Sequence, residues 1–260
     1  LLDWLAVDFR DHGWNVKRTL RSIVTSATYR QSAAAPGELY ERDPANRLLA
    51  RGSRYRLQAE FLRDNALFLG GLLVDKIGGP GVKPYQPEGL WKDILQGGDR
   101  PFIQDKGESL YRRSIYTFLW RWVKPAMFFD NPARRICTVR PSRTNTPMHA
   151  LNLLNDTTYV EAARALAQRM LKEGGDTVES RLMTGFRLAT ARTPDIKTLA
   201  VLKSGLERRR KEFAGNPEAA KALIMQGTSK PDPSLDASEL AAYSATASIL
   251  LNLDRVITKD

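Results

Sequence analysis

The sequence predicts a mainly α-helical protein, an irregular bundle of many helices with long loops and at most a small β element near residues 111–123. Apolar residues recur at helical spacing through most of the second half of the chain, as at Val160, Ala163, Ala167 and Met170. Capping residues precede these segments, and glycine often follows them. The alternation of side-chain type at every second residue that is typical of a β-strand occurs in a single stretch.

The first half of the chain predicts three main helices. Leu2, Leu5 and Phe9 share one face of the first, which Gly13 ends. Asn15 can cap the second, whose apolar side carries Val16, Leu20, Ile23, Val24 and Ala27. A long third helix is expected from about Leu57 to Ile77, with the Gly78-Gly79-Pro80-Gly81 turn as its stop.

The β element is predicted from an aromatic row between Tyr111 and Val123, for which residues 82–109 or 134–141 would have to supply a partner. With the neighbouring arginines this row forms a candidate aromatic and basic surface, able to stack sugar rings or bases. Packing into the core is the alternative use of such a row. The candidate residues are Arg112, Arg113, Tyr116, Trp120 and Trp122.

The second half is predicted to consist of helices in close succession. Asp156 or Thr157 caps one, Asp176 or Thr177 the next, and Thr193-Pro194 opens a third. A polar linker over 228–234 leads to a final helix that buries Leu240, Tyr243, Ala247 and Leu250.

The stretch from Cys137 to Asp156 concentrates polar side chains just ahead of a helix that Thr146-Pro147 begins. A helix N-terminus with arginines upstream can hold an anion. Alternatively, the arginines pair with internal carboxylates and carbonyls and lock a loop between helices. The candidate polar or anion-binding residues are Arg140, Arg143, Asn145, Thr146, His149, Asn155 and Asp156.

Composition limits the chemistry of the chain. Its single cysteine, Cys137, excludes an internal disulfide, an iron–sulfur site and Cys-x-x-Cys-His haem attachment, and its two histidines lie far apart. We therefore expect no metal and no cofactor within this segment. The net charge of +11 favours a polyanionic partner such as acidic polysaccharide. No apolar run approaches the roughly 20 residues that cross a bilayer.

The whole length, 1–260, is expected to form one domain, with a possible subdivision into 1–136 and 137–260. The chain opens with Leu1-Leu2-Asp3-Trp4, without a methionine and within a helical pattern. We therefore expect it to be a fragment of a longer protein.

Several blocks, in order along nearly the whole chain, resemble the DUF1553 domain, also called PSD1, which is typical of planctomycete bacteria. They are Thr25-Ser-Ala-Thr-Tyr-Arg-Gln-Ser32, Asp43-Pro-Ala-Asn-Arg-Leu-Leu49, Arg112-Arg-Ser-Ile-Tyr-Thr-Phe118, Arg143-Thr-Asn-Thr-Pro-Met-His-Ala-Leu-Asn-Leu-Leu-Asn-Asp156 and Leu250-Leu-Asn-Leu-Asp254. The resemblance implies an exported protein of the periplasm or cell envelope, in which this domain follows a PSCyt2 (DUF1549) domain and often a haem-c domain. It implies no activity. The family often has glutamine where this chain has His149, which argues against an obligatory catalytic base there.

Three functions remain open from the sequence. The first is a non-catalytic helical module that packs against the upstream domains of an exported, haem-linked protein. The second is a polyanion- or carbohydrate-binding module, indicated by the charge and the aromatic row. The third is one part of a hydrolase or redox active site that this segment shares with the upstream domain. For this segment alone, an enzymatic role is the less favoured hypothesis.

Overall fold

The computed structural model describes residues 1–87, 89–90, 102–119, 129–130, 137 and 143–259, and these are mainly helical, as predicted. The helices are α1 Leu2–Asp11, α2 Val16–Thr25, α3 Gly37–Arg42, α4 Ala59–Leu69, α5 Pro147–Asn155, α6 Thr157–Glu173, α7 Val178–Thr190, α8 Ile196–Gly215, α9 Pro217–Ile224, α10 Ala237–Leu251 and α11 Asp254–Ile257. Two 3-10 turns cover Gly107–Tyr111 and Ser114–Tyr116. Two short strands, β1 Tyr55–Arg56 and β2 Thr258–Lys259, pair into one sheet.

The chain divides into two compact units, a smaller one of residues 1–55 with 258–260 and a larger one of residues 56–257. The smaller unit holds α1, α2 and α3, and none of these helices contains a buried residue. The larger unit holds the core. The boundary considered from the sequence, between 136 and 137, lies within this larger unit.

The core of the larger unit is built on α6 and α10, which pack against each other, with α7, α8 and α9 also contacting α10. Tyr243, Ala247 and Leu250 of α10 are fully buried, as predicted, and so are Ala167 and Met170 of α6. Alanine supplies four of the ten buried residues of α6 and three of the nine of α10, and such small side chains let two helix backbones pack closely.

The third predicted helix is shorter than expected, since α4 ends at Leu69 rather than near Ile77. The amide of Leu72 donates to the Leu67 carbonyl at 2.8 Å and that of Gly71 to Phe68 at 3.0 Å, which is the paired C-terminal closure of a Schellman motif. Gly71, with a φ of 72°, supplies the left-handed residue of this motif. Gly70 is needed for a different reason: a β-carbon at this position would lie 2.9 Å from the Ala162 carbonyl oxygen of α6.

The predicted caps are largely confirmed. Asn15, Asp156 and Thr177 each accept a first-turn amide of the helix that follows. The helix expected at Thr193-Pro194 begins slightly later, because Asp195 is the residue that accepts the Thr198 amide, at 2.6 Å. The short α9 was not predicted.

The strand expected over 111–123 is reduced, in the described residues, to 3-10 turns and single bridges. Arg112 bridges to Val74, and Thr117 bridges to Val82, which belongs to the stretch proposed as a partner. The remaining part, from Trp120 to Val123, lies outside the described residues.

Candidate functional site around Thr144

Thr144, in the predicted polar stretch, is held by one carboxylate. Its amide donates to Asp130 Oδ2 at 2.8 Å and its hydroxyl to Asp130 Oδ1 at 2.7 Å. Asp130 itself has a φ of 59°, in the left-handed region that aspartate tolerates better than most residues. The loop ahead of α5 is thus fixed at both its backbone and its side chain.

Arg56 completes this cluster from the other side. Its Nε donates to the Thr144 carbonyl and its Nη2 to Asp130, while its guanidinium lies 4.3 Å from the centre of the Phe129 ring. Phe129 also stacks with His149, with ring centres 4.2 Å apart and planes 18° from parallel. Phe129 thus contacts both Arg56, which is buried, and His149 beside the loop.

The charge on Asp130 is matched within the cluster. Burial acts to raise the pKa of this carboxyl, but the hydrogen bonds from Thr144 and the charge of Arg56 outweigh it and leave the pKa below its ordinary value. Both carboxylate oxygens are already hydrogen-bonded. The arrangement suits the locking of a loop, the alternative to an anion site that the sequence left open.

The predicted site residues nearest this cluster lie mostly at the surface. Arg143, Asn145 and Thr146 are exposed, and Arg140 lies outside the described residues. His149 is half-buried, and its Nδ1 accepts the Thr146 amide at 3.4 Å, which is half of a capping-box arrangement. Its ring is thus used for the helix start and for stacking on Phe129.

The other two predicted site residues lie at the far end of α5. Asn155 is exposed and donates to the Leu151 carbonyl at 2.7 Å. Asp156 caps α6 by accepting the Thr158 amide at 2.9 Å, and burial raises its pKa against the opposing effects of Thr158 and Arg63. Ten residue steps, about 15 Å at the usual helical rise, separate Thr146 from Asp156, so the six candidates that the structure describes do not converge on one point.

The candidate aromatic and basic surface contains a buried residue. Arg112 is buried and donates to the carbonyls of Lys76 at 2.9 Å and Pro80 at 3.1 Å. Its guanidinium lies 3.9 Å from the centre of the Tyr116 ring, whose hydroxyl accepts the Gly78 amide at 2.7 Å. Arg112 and Tyr116 thus organise the glycine-rich turn.

The remaining members of that surface divide between exposed and undescribed residues. Arg113 is exposed, with its guanidinium 3.7 Å from Asp75 and 4.0 Å from Asp64. Trp120 and Trp122 lie outside the described residues. Arg51, which added to the basic character of the sequence, is buried and donates to the Pro44 carbonyl at 2.8 Å.

Two further buried polar centres were not predicted. At the first, the fully buried Arg63 of α4 donates to the carbonyls of Leu110 at 2.7 Å and Arg112 at 2.8 Å. Next to it, Asp64 accepts both the amide and the hydroxyl of Ser114. Adjacent opposite charges on a helix were the available signal, although their burial was not apparent from the sequence.

The second centre is Glu161, fully buried in α6. Its carboxylate accepts the hydroxyls of Tyr85 at 2.8 Å and Tyr111 at 2.9 Å, and the amide of Ser229 at 2.7 Å. Arg164, one turn along, donates to the carbonyls of Ile224 and Gln226. Burial is the main cause that raises the pKa of Tyr85. This network fastens two distant loops to the central helix.

Within the described ranges, no group of three or more histidine, cysteine, aspartate or glutamate side chains is placed to share a metal ion. None of the helices that the structure describes combines the length and the apolar character needed to span a bilayer.

Comparison with known families gives a match over most of the chain. The model of the family PSD1, described as a protein of unknown function (DUF1553), matches residues 1–206. No curated protein and no solved structure matches the chain.

Proposed function

Since the chain belongs to the PSD1 (DUF1553) family, we propose that it is a non-catalytic helical module whose hairpin of α1 and α2 packs against the preceding PSCyt2 domain of an exported, haem-linked parent protein. In this proposal the protein works in the periplasm or cell envelope. Haem c belongs to the upstream part of the parent, and this segment carries no cofactor of its own.

The observation that carries the proposal is the apolar face of α2. Val16, Leu20, Ile23 and Val24 recur at helical spacing and are 59%, 55%, 40% and 45% exposed. Asn15 accepts the Arg18 amide at 3.0 Å, so the helix is capped at its start. A capped helix that leaves such a face exposed is typical of a surface that binds another protein.

The hairpin has internal contacts that fix its geometry. Arg18 donates to Asp8 across the two helices, and the rings of Phe9 and Trp14 meet edge to face with centres 5.1 Å apart. Arg18 lies on the side of α2 away from the apolar stripe, so its contact with Asp8 leaves the stripe to a partner. Lys17 and Arg21 flank the stripe, and acidic residues at the edge of the partner surface would complement them.

The experiment measures binding of this chain to the PSCyt2 domain of its parent by calorimetry. Leu20→Asp places a charge in the stripe and should weaken binding at least tenfold. Ser22→Asp adds the same charge at an exposed position outside the stripe and should bind as the wild type does. Absence of binding by the wild-type chain, or equal loss in both variants, would refute the proposal.

A further inference from the structure

A groove of about 360 Å³ opens among the helices of the larger unit, with α6 and α10 beneath it. Its floor is made of small, buried side chains, Ala163 and Ser244. Apolar side chains, among them Val160, Leu223 and Ile249, line it. The volume falls in the usual range for small-molecule sites, about 300–1,000 Å³.

One charged side chain borders this groove, the guanidinium of Arg209 in α8. Among the described residues it has no hydrogen-bond or ion-pair partner, in contrast to its neighbour Arg210, whose Nε donates to Glu239 at 2.7 Å. Burial lowers the pKa of Arg209, the positive charge of Arg208 acts in the same direction, and Glu212 opposes them. An anion beside Arg209 would offset both unfavourable effects.

The guanidinium of Arg209 lies back along its own helix, close to Gly205. Gly205 lies one turn before Arg209, and a β-carbon there would come within 2.9 Å of Arg209 Nη1. Glycine in the interior of a helix costs about 1 kcal/mol relative to alanine. At position 205 it leaves the space that the guanidinium occupies.

We propose that this groove binds a single-chain amphiphile with a carboxylate head, its alkyl chain against Val160, Leu223 and Ile249 and its carboxylate on Arg209. Guanidinium and carboxylate are matched in geometry and charge. Nine of the described residues line the groove, fewer than the roughly 20–30 that each side of a typical protein interface contributes. This inference concerns the larger unit and is independent of the role proposed for α1 and α2.

The test is calorimetric titration of the protein with dodecanoate kept below its micelle-forming concentration. We expect saturable binding at one site. Arg209→Gln should weaken it about tenfold, whereas Arg208→Gln, which removes the same charge from the adjacent and exposed residue, should have a much smaller effect. Dodecyltrimethylammonium, with the same chain and the opposite charge, should bind much more weakly than dodecanoate.

A second variant tests the position of the chain. Ser248→Phe places a ring in the groove and should abolish dodecanoate binding, while circular dichroism shows that the fold is kept. If this variant does not fold, Leu223→Ala, which removes apolar contact from the groove wall, should weaken dodecanoate binding instead. The proposal fails if the wild type does not bind, if the cationic amphiphile binds equally well, or if Arg208→Gln and Arg209→Gln have equal effects.

Discussion

Gly227 lies so close to Glu161 that a β-carbon at position 227 would be 2.5 Å from Oε1 and 2.7 Å from Oε2 of the buried carboxylate. The backbone of Gly227 also has a φ of 84°, which side chains rarely adopt. The loop before α10 can therefore approach α6 only with glycine at this position. The close approach lets Ser229 donate its amide and its hydroxyl to Glu161.

Gly227→Ala should lower the free energy of unfolding by about 3 kcal/mol or more, because the strain of the left-handed conformation, roughly 1–2 kcal/mol, adds to displacement of the Glu161 carboxylate. Gly78→Ala is the matched control, since its φ is 81° and nothing lies within 4 Å of the added carbon. Gly78→Ala should therefore lose only the stability that corresponds to the strain of the left-handed conformation. Urea denaturation of both variants measures the difference, and equal losses would show that the Glu161 contact contributes nothing.

Arg63→Lys should destabilise the protein by about 3 kcal/mol, because lysine cannot span the carbonyls of Leu110 and Arg112 with one planar group. Arg113→Lys, at a half-exposed side chain, should change the stability by no more than about 0.5 kcal/mol. The measurement is again denaturant unfolding. A loss below 1 kcal/mol for Arg63→Lys would mean that the 107–116 segment is held by other contacts.

The helical fold was predictable because its signals are local. The spacing of apolar residues, the capping residue and the glycine that ends a helix can each be recognised within one or two helical turns. Asn15, Asp156 and Thr177 cap their helices as expected. The end of α4 was misplaced because Gly70-Gly71 and the glycine-rich turn after Ile77 are equally good local stops. What decided between them is the approach of Gly70 to Ala162, a contact between residues far apart in sequence.

The candidate site was predicted less well, because the roles of its arginines depend on distant partners. The polar loop before α5 is indeed held by an arginine and a carboxylate, yet these are Arg56 and Asp130 rather than members of the loop itself. Similarly, nothing near Arg112 in the sequence indicates that the carbonyls of Lys76 and Pro80 accept from it.

Asp130→Asn should lower the stability at neutral pH by about 2 kcal/mol, since it removes the charge from the hydrogen bonds to Thr144 and Arg56. The folded state lowers the pKa of Asp130 below its ordinary value of 3.8. Its contribution is therefore complete above pH 3.8 and is lost as the pH falls through the lower, folded-state value. The difference in stability between the wild type and Asp130→Asn should therefore disappear as the pH falls below 3.8.

Thermal unfolding of the wild type and of Asp130→Asn, measured from pH 7 down to pH 2, follows the difference in their stability. Asp176→Asn, at an exposed carboxylate, is the control and should track the wild type throughout. A constant gap between wild type and Asp130→Asn at all pH values would show that the carboxylate charge is not what stabilises the loop.

Tyr159→Phe should be neutral at pH 7 or stabilise the protein by up to about 1 kcal/mol. The Tyr159 ring is buried in the core, and its hydroxyl has no hydrogen-bond partner among the described residues, so removing the oxygen relieves an unsatisfied polar group. Burial also raises the pKa of this hydroxyl above its ordinary value of 10.0. Stability from the neutral form is present below pH 10 and declines as the pH rises further, by about 1.4 kcal/mol per pH unit for one such group.

Because Tyr159→Phe lacks this loss of stability, the difference in unfolding free energy between the variant and the wild type should grow above pH 10. Both proteins keep the pH dependence of stability that Tyr85 contributes. Denaturant unfolding between pH 7 and pH 11 measures it. Tyr29→Phe, at an exposed ring, serves as the control and should retain the full alkaline loss. If Tyr159→Phe instead destabilises the protein at pH 7 by more than 1 kcal/mol, the hydroxyl has a partner in solution and the core around α6 is more polar than its described contacts indicate.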